Sequence, residues 1–407
     1  LRHAPPVTIF ILLLVTLAAS AHAAPSLSLS KDAGGYWSRP VKGLPGHGGE
    51  RPDVKVGRYY PKSCAACHAA QYEDWTGARH ARSVGAGLRT QLDAEEPGFA
   101  ASCYRCHAPL RAQATALASS GAPDEYALNP AFDERLKATG VNCAVCHLRD
   151  GIIYGPPSAP PSAPPSKDKP EEPGLISPPH AGVQNDLFSD AGFCAACHQL
   201  DSGYRLNGKL LMNTYAEWSR SGYAAKGITC QGCHMPGRRH LFRGIHDPEM
   251  VLGGIDILAE RLRGGGGAKA RLKITNSAVG HMFPTYVTPA VEIRGYTVDL
   301  DGAQIKESVK KAVIARRVKL DLSREIFDTR IPPGESFSFD YEAEAGAGGL
   351  VLEVWVFPDE FYNRFFSSLL KDGTHGDTPD NTKETELKEA LRETESGYLL
   401  YKKEFAL

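Results

Sequence analysis

Every cysteine in this chain belongs to one repeated pentapeptide, Cys-x-x-Cys-His. The copies are Cys64-Ala-Ala-Cys67-His68, Cys103-Tyr-Arg-Cys106-His107, Cys143-Ala-Val-Cys146-His147, Cys194-Ala-Ala-Cys197-His198 and Cys230-Gln-Gly-Cys233-His234, which use all 10 cysteines. Residues three apart share one face of a helical turn, so both thiols of each copy can reach one rigid partner. A disulfide framework, a redox dithiol or a zinc site also uses paired cysteines, but none requires a histidine directly after every pair. Attachment of a haem does: the thiols form thioethers with its two vinyl groups, and the histidine supplies the proximal nitrogen to iron. The pattern implies five covalent haems c, with His68, His107, His147, His198 and His234 as proximal ligands.

Little polypeptide is available per haem between Cys64 and His234. Such a region cannot build a conventional core between cofactors, so the macrocycles themselves are expected to form its apolar interior and to pack closely. Iron bound by two imidazoles exchanges electrons but has no open position for a substrate, so the remaining histidines decide what the chain can do. Outside the motifs and the N-terminal leader these are His47, His80, His180, His240, His246, His281 and His375. The four methionines, Met212, Met235, Met250 and Met282, are expected to fill core space.

Arg2 and His3 precede an apolar run from Val7 to Leu17, and Ala21-His22-Ala23 fits a small-x-small cleavage site. Residues 1–23 therefore read as a secretory signal, which makes the protein exported, periplasmic or extracellular, with no transmembrane segment in the mature form. Lys+Arg total 46 against 47 Asp+Glu, a formal net charge of -1 that argues against nucleic acid as a partner. Residues 24–60 are Gly- and Pro-rich and read as an extended arm. Residues 61–262 form the pentahaem region, interrupted at 155–174 by a proline-rich, polyproline-like surface insertion. A glycine run at 263–268 then leads to residues 269–407, where the pattern becomes alternating. Ala270–Thr275, Val291–Val298, Phe337–Tyr341 and Leu350–Val356 read as strands, Glu360–Leu370 and Lys383–Glu395 as helices, and Tyr398–Phe405 as a last strand. The fold class expected is a mainly α and irregular haem domain organised around stacked haems, then a small antiparallel β-sandwich with C-terminal helices. A faint internal echo joins Tyr72-Glu-Asp-Trp75 to Tyr215-Ala-Glu-Trp218, with His80 and Tyr223 each five residues past the tryptophan.

The stretch Cys64–His68 … Trp75 … His80-Ala-Arg resembles the multihaem family that includes the tetrahaem electron acceptor of hydroxylamine oxidoreductase. Ile228–Pro236 with Arg239-His240 and His246-Asp247 resembles larger bacterial multihaem cytochromes, and Gly280-His281-Met-Phe-Pro284-Thr is similar to a segment supplying a distal histidine from a β domain. The likeness covers roughly residues 60–300. It implies His80, His180, His240, His246 and His281 as distal ligands, with His47 able to replace His180; His375, in a Gly/Asp-rich loop, is expected to be solvated. A helix from His68 to His80 would be about 18 Å long, which carries His80 away from the first haem, and the expected recipient is the third, on Cys143 and Cys146. His281 is expected to project from a rigid loop before Pro284 and make the β domain a lid on the haems.

Electron transfer is the leading reading, with other cytochromes or quinol-linked membrane complexes as redox partners. An oxidoreductase acting on a small nitrogen or sulfur compound at one open haem is an alternative. Pentahaem nitrite reductases resemble the chain in haem number, but their active haem sits on a motif ending in Lys, whereas all five here end in His. Self-assembly into an extracellular conducting filament is the third possibility.

Overall fold

The computed structural model describes residues 36–37, 59–92, 97–119, 122–149, 151–157, 182–262, 268–343, 347–372 and 381–407. The leader, nearly all of the arm, most of the proline-rich insertion and His47, His180 and His375 lie outside the described residues. No helix among the described residues is long and apolar enough to cross a membrane.

The cysteine-bearing part is a succession of short helices: α1 (Ala69–Gly77), α2 (Ala86–Leu92), α3 (Pro97–His107), α4 (Cys143–His147), α5 (Gly192–His198), α6 (Thr214–Ser219) and α7 (Cys230–His234). The motif histidine is the last residue of α3, α4, α5 and α7. The first motif instead straddles the end of a helix at Pro61–Ala65, with the His68 N–H closing on the Cys64 carbonyl at 2.9 Å. One-turn helices are not stable alone in water; α4 is fixed at its start. Asn142 caps α4, its side-chain oxygen accepting from Ala144 N at 3.0 Å and Val145 N at 3.3 Å.

The sequence echo is a repeated clamp. The Trp75 indole donates to the Val141 carbonyl at 2.9 Å, and the Val141 N–H donates to the His80 carbonyl at 3.0 Å. Trp218 donates to Ile228 O at 2.9 Å, and Ile228 N donates to Tyr223 O at 3.0 Å. Val141 and Ile228 each stand two residues before a motif cysteine, so each tryptophan pins the chain entering an attachment helix. The long helix expected between His68 and His80 stops at Gly77. Ala78 is extended (φ −81°, ψ 157°), and a 3-10 turn at Arg79–Arg82 re-aims His80.

The C-terminal part packs two antiparallel sheets. Its strands are β1 (Asp256–Leu262), β2 (Lys269–Thr275), β3 (Ala290–Val298), β4 (Lys310–Val318), β5 (Glu325–Asp328), β6 (Ser336–Glu342), β7 (Gly349–Phe357) and β8 (Tyr398–Ala406). One sheet runs β5-β4-β3-β7-β8 and the other β6-β2-β1. Leu272 and Ile274 from one and Ile293, Ile314, Leu352 and Val354 from the other meet in a single buried core. The strand β1, unforeseen in the sequence, pairs with β2 from Asp256↔Thr275 to Leu262↔Lys269. The β unit therefore begins before the glycine run, not after it. The pattern of β1 explains the miss: its half-buried Ile257 and Ala259 flank an exposed Leu258, and two charged residues separate them from Leu262. Two helices, α8 (Glu360–Asp372) and α9 (Asn381–Glu393), lie between β7 and β8 in sequence, and their Phe366, Leu387 and Ala390 pack on Ala86 of α2. They thus cover the cysteine-bearing part, while Phe361 at the start of α8 packs on Val318 of β4.

Candidate haem-binding site

A continuous cavity of 3480 Å³ runs through the cysteine-bearing part, several times the roughly 300–1,000 Å³ of an ordinary ligand pocket. All five motif histidines and nine motif cysteines line it, Cys67 being the exception. All ten cysteines are free thiols.

Three histidine pairs face each other across this space. The ring centres of His147 and His240 are 6.1 Å apart, those of His80 and His198 6.1 Å, and those of His234 and His281 6.4 Å, the last pair within 12° of parallel. An imidazole nitrogen binds a first-row metal at about 2.0–2.1 Å and lies roughly 1.1 Å from its ring centre, so two trans imidazoles on one metal stand about 6.2 Å apart. Each pair joins one motif histidine to one outside the motifs. The donor set and spacing fit an iron porphyrin held between the two rings.

The rings are also in the state a metal needs. Burial lowers His80 to about 3, His147 to about 4, His198 to about 4 and His281 to about 4, so all are neutral at pH 7. Their second nitrogens are held as well: His107 Nδ1 by Ser83 O at 2.9 Å, His147 Nδ1 by Tyr154 O at 2.7 Å, His234 Nδ1 by Arg243 O at 2.5 Å, His240 Nδ1 by Arg238 O at 3.0 Å and His281 Nδ1 by Met282 O at 2.9 Å. This leaves Nε2 as the free lone pair.

Two expectations change. His80 faces His198 of the fourth motif, not His147 of the third, because the break at Ala78 turns it out of the α1 direction. His246 faces none of the motif histidines: its Nε2 lies 2.8 Å from Asp359 Oδ2, and Arg79 reaches the same carboxylate at 3.2 Å. A carboxylate from the start of α8 holds the nitrogen expected to reach an iron. Among the described residues no imidazole ring stacks opposite His107.

Sequence reasoning missed Asp74, whose carboxylate accepts from Arg239 Nε at 2.7 Å and from the His240 N–H at 2.9 Å and so fixes His240 from α1. Its one signal was its place in the Tyr-Glu-Asp-Trp echo. Tyr286 was also missed; its hydroxyl lies 2.8 Å from His198 Nδ1.

Thiols of different motifs adjoin one another. Cys64 and Cys143, Cys106 and Cys197, and Cys194 and Cys230 are near enough to influence each other's titration. Cys146 is close enough to both Cys194 and Cys197 for its charge to raise them. The fourth motif thus borders the second, third and fifth.

Set against known proteins, residues 63–148, which span the first three motifs, match the family model described as cytochrome c554 and c-prime. The class these observations support is a multihaem c-type cytochrome, with covalently bound haem and electron transfer as its chemistry. The chain is similar in fold to a penta-heme cytochrome c552 from Thermochromatium tepidum, at 20% identity and a TM-score of 0.57 over 85% of this chain and 98% of that one. A beta-glucuronidase of Bacteroides uniformis (12% identity, 25% of this chain and 11% of that one, TM-score 0.15) aligns only locally and carries no argument. The same is true of the structural genomics target SoR45 (12% identity, 26% and 72%, TM-score 0.14). No curated protein matches.

Proposed function

We propose that the chain binds five haems c through its five motifs and conducts electrons between redox partner proteins in the cell envelope or outside the cell. The observation that carries this is the set of three imidazole pairs at 6.1–6.4 Å, each pairing a different motif histidine with a partner from elsewhere in the fold. Cysteines 64, 67, 103, 106, 143, 146, 194, 197, 230 and 233 hold the macrocycles, and His68, His107, His147, His198 and His234 bind the irons from one side. His240, His80 and His281 bind the third, fourth and fifth from the other. Bound haem supplies a reversible one-electron couple; the protein sets its spacing and excludes water from it. The adjoining thiols support a route from the first motif through the third to the fourth, where it forks to the second and the fifth. The leader-like residues 1–23 support export, and the redox partners proposed are other cytochromes or quinol-linked membrane complexes. Intact mass of the mature protein with a pyridine haemochrome assay counts the haems; fewer than five in fully matured protein overturns the count.

A second reading is favoured by one observation. His107 has no facing imidazole among the described residues, and the same cavity holds the polar group His246–Asp359–Arg79. An iron on Cys103 and Cys106 with one protein ligand would bind nitrite, hydroxylamine or sulfite. A high-spin electron paramagnetic resonance signal integrating to one iron, with turnover of one such compound, supports it; wholly low-spin iron overturns it.

A further inference from the structure

The fourth motif differs from its neighbours in what holds its histidine. The other described histidines of the site with a resolved Nδ1 partner all point that nitrogen at a backbone carbonyl. His198 alone among them points it at a side chain, the Tyr286 hydroxyl at 2.8 Å. Thr214 stands beside that hydroxyl and favours its charged form. Thr214 Oγ1 lies 2.9 Å from Thr285 Oγ1, and Thr285 Oγ1 reaches Glu217 Oε2 at 3.5 Å. A line of hydroxyls therefore leads from His198 to a carboxylate that Arg330 pairs at 3.6 Å.

Tyr286 is held there against its own backbone preference. Its φ is +50°, a left-handed conformation that non-glycine residues rarely adopt. It belongs to the same loop of the β part as His281, pinned by paired bonds between Phe283 and Ile331 at 2.9 and 2.7 Å.

The acceptor on Nδ1–H governs how basic Nε2 is. A carbonyl draws the Nδ1 proton strongly, makes the imidazole more electron-rich and favours ferric iron. A phenol oxygen is a weaker acceptor than a backbone carbonyl. The tyrosine pair is thus an intermediate setting between a carbonyl and no acceptor.

We propose that Tyr286 is a positioning residue that sets the reduction potential of the site on Cys194, Cys197 and His198 above those of its carbonyl-held neighbours. Since that motif borders three others, electrons entering the chain collect there before they divide. The step is uptake of one electron from an adjoining haem, ferric to ferrous, with no proton required. The proposal rests on the haem-binding function above.

The test is a spectroelectrochemical titration of holoprotein, with low-spin resonance signals followed iron by iron, in the parent, Tyr286→Phe and Thr214→Val. Phenylalanine keeps the ring and removes the acceptor, so the ferrous-to-ferric ratio of the His198 iron at fixed potential rises three- to tenfold, tenfold being 59 mV for one electron. Thr214→Val leaves the phenol in place and removes only the neighbouring hydroxyl, so it shifts the same iron by less than Tyr286→Phe. A purely structural tyrosine predicts superimposable titrations, and that result with haem present on all motifs overturns the role of Tyr286 alone. A shift confined to some other iron overturns it too. Peptide mass showing no haem on Cys194 and Cys197 overturns this proposal and the haem-binding function together.

Discussion

Replacing His281 by Ala deletes one ring of the most nearly parallel pair, whose centres are 6.4 Å apart. The loop that carries it keeps its other supports. The Asn276 side chain still donates to His281 O at 2.9 Å and Ile331 O at 3.0 Å, and Met282 N still reaches Glu217 Oε2 at 3.1 Å. What is lost inside the protein is the bond from Nδ1 to Met282 O, about 1 kcal/mol. For a unit the size of the sandwich that amounts to about 2–4 °C in melting temperature apart from the ligand bond itself. The large effect should therefore be electronic and local: one iron per chain, the one on His234, converts from low to high spin. Electron paramagnetic resonance of the oxidised variant measures that fraction, and added imidazole, filling the space of the deleted ring, should restore the low-spin signal. An unchanged spectrum would refute ligation by His281. A high-spin signal that rises by more than one iron over the parent would refute the claim that the loop stands without its ring.

Arg316 is 1% exposed and donates to Glu325 at 2.8 Å and to the carbonyls of Leu206, Lys209 and Leu210, so Arg316→Ala should cost about 3–5 kcal/mol in denaturant unfolding and free the segment Arg205–Leu210 for proteolysis. Trp75→Phe and Trp218→Phe should each lose about 1–2 kcal/mol by removing one clamp bond, and a double variant no less stable than the worse single one would show that the clamps are not separate devices. Asp328 is pushed up by burial, but the Arg330 guanidinium and Lys209 ammonium outweigh this and hold it at about 2. Its contribution is complete above the ordinary carboxylate value near 3.8 and disappears as pH falls toward 2; with Lys209 half exposed it amounts to about 1–2 kcal/mol. Asp328→Asn should remove that acid-sensitive portion of the unfolding curve and leave the rest, and an unaltered pH profile would count against the pairing.

The attachment residues were legible because covalent chemistry fixes their spacing locally, in Cys-x-x-Cys-His itself. The strands β2, β3, β6, β7 and β8 were legible from alternation, whereas β4 was hidden by Lys310, Lys311, Arg316 and Arg317 among its apolar residues. Arg316 is buried nonetheless, because carbonyls from another segment receive its charge, and no local pattern announces such a partner. Which histidine meets which motif was not legible. His80 is aimed by one extended residue at Ala78, and His246 is claimed by Asp359, more than a hundred positions away. Tyr286 escaped notice because a tyrosine two residues after a proline carries no signal until His198 is brought against it.

The first clamp is also a neck. The chain departs at His80 and comes back at Val141, whose N–H closes on the His80 carbonyl, and the whole of the second motif, with α2 and α3, is strung between. The second clamp closes the corresponding interval directly from Tyr223 to Ile228. Closing a longer loop costs only slightly more than closing a short one. The segment bearing Cys103, Cys106 and His107 therefore behaves as an insert whose entry and exit coincide. Its ties to the rest are side contacts, Ala86 of α2 against Phe366, Leu387 and Ala390, rather than a through-running chain.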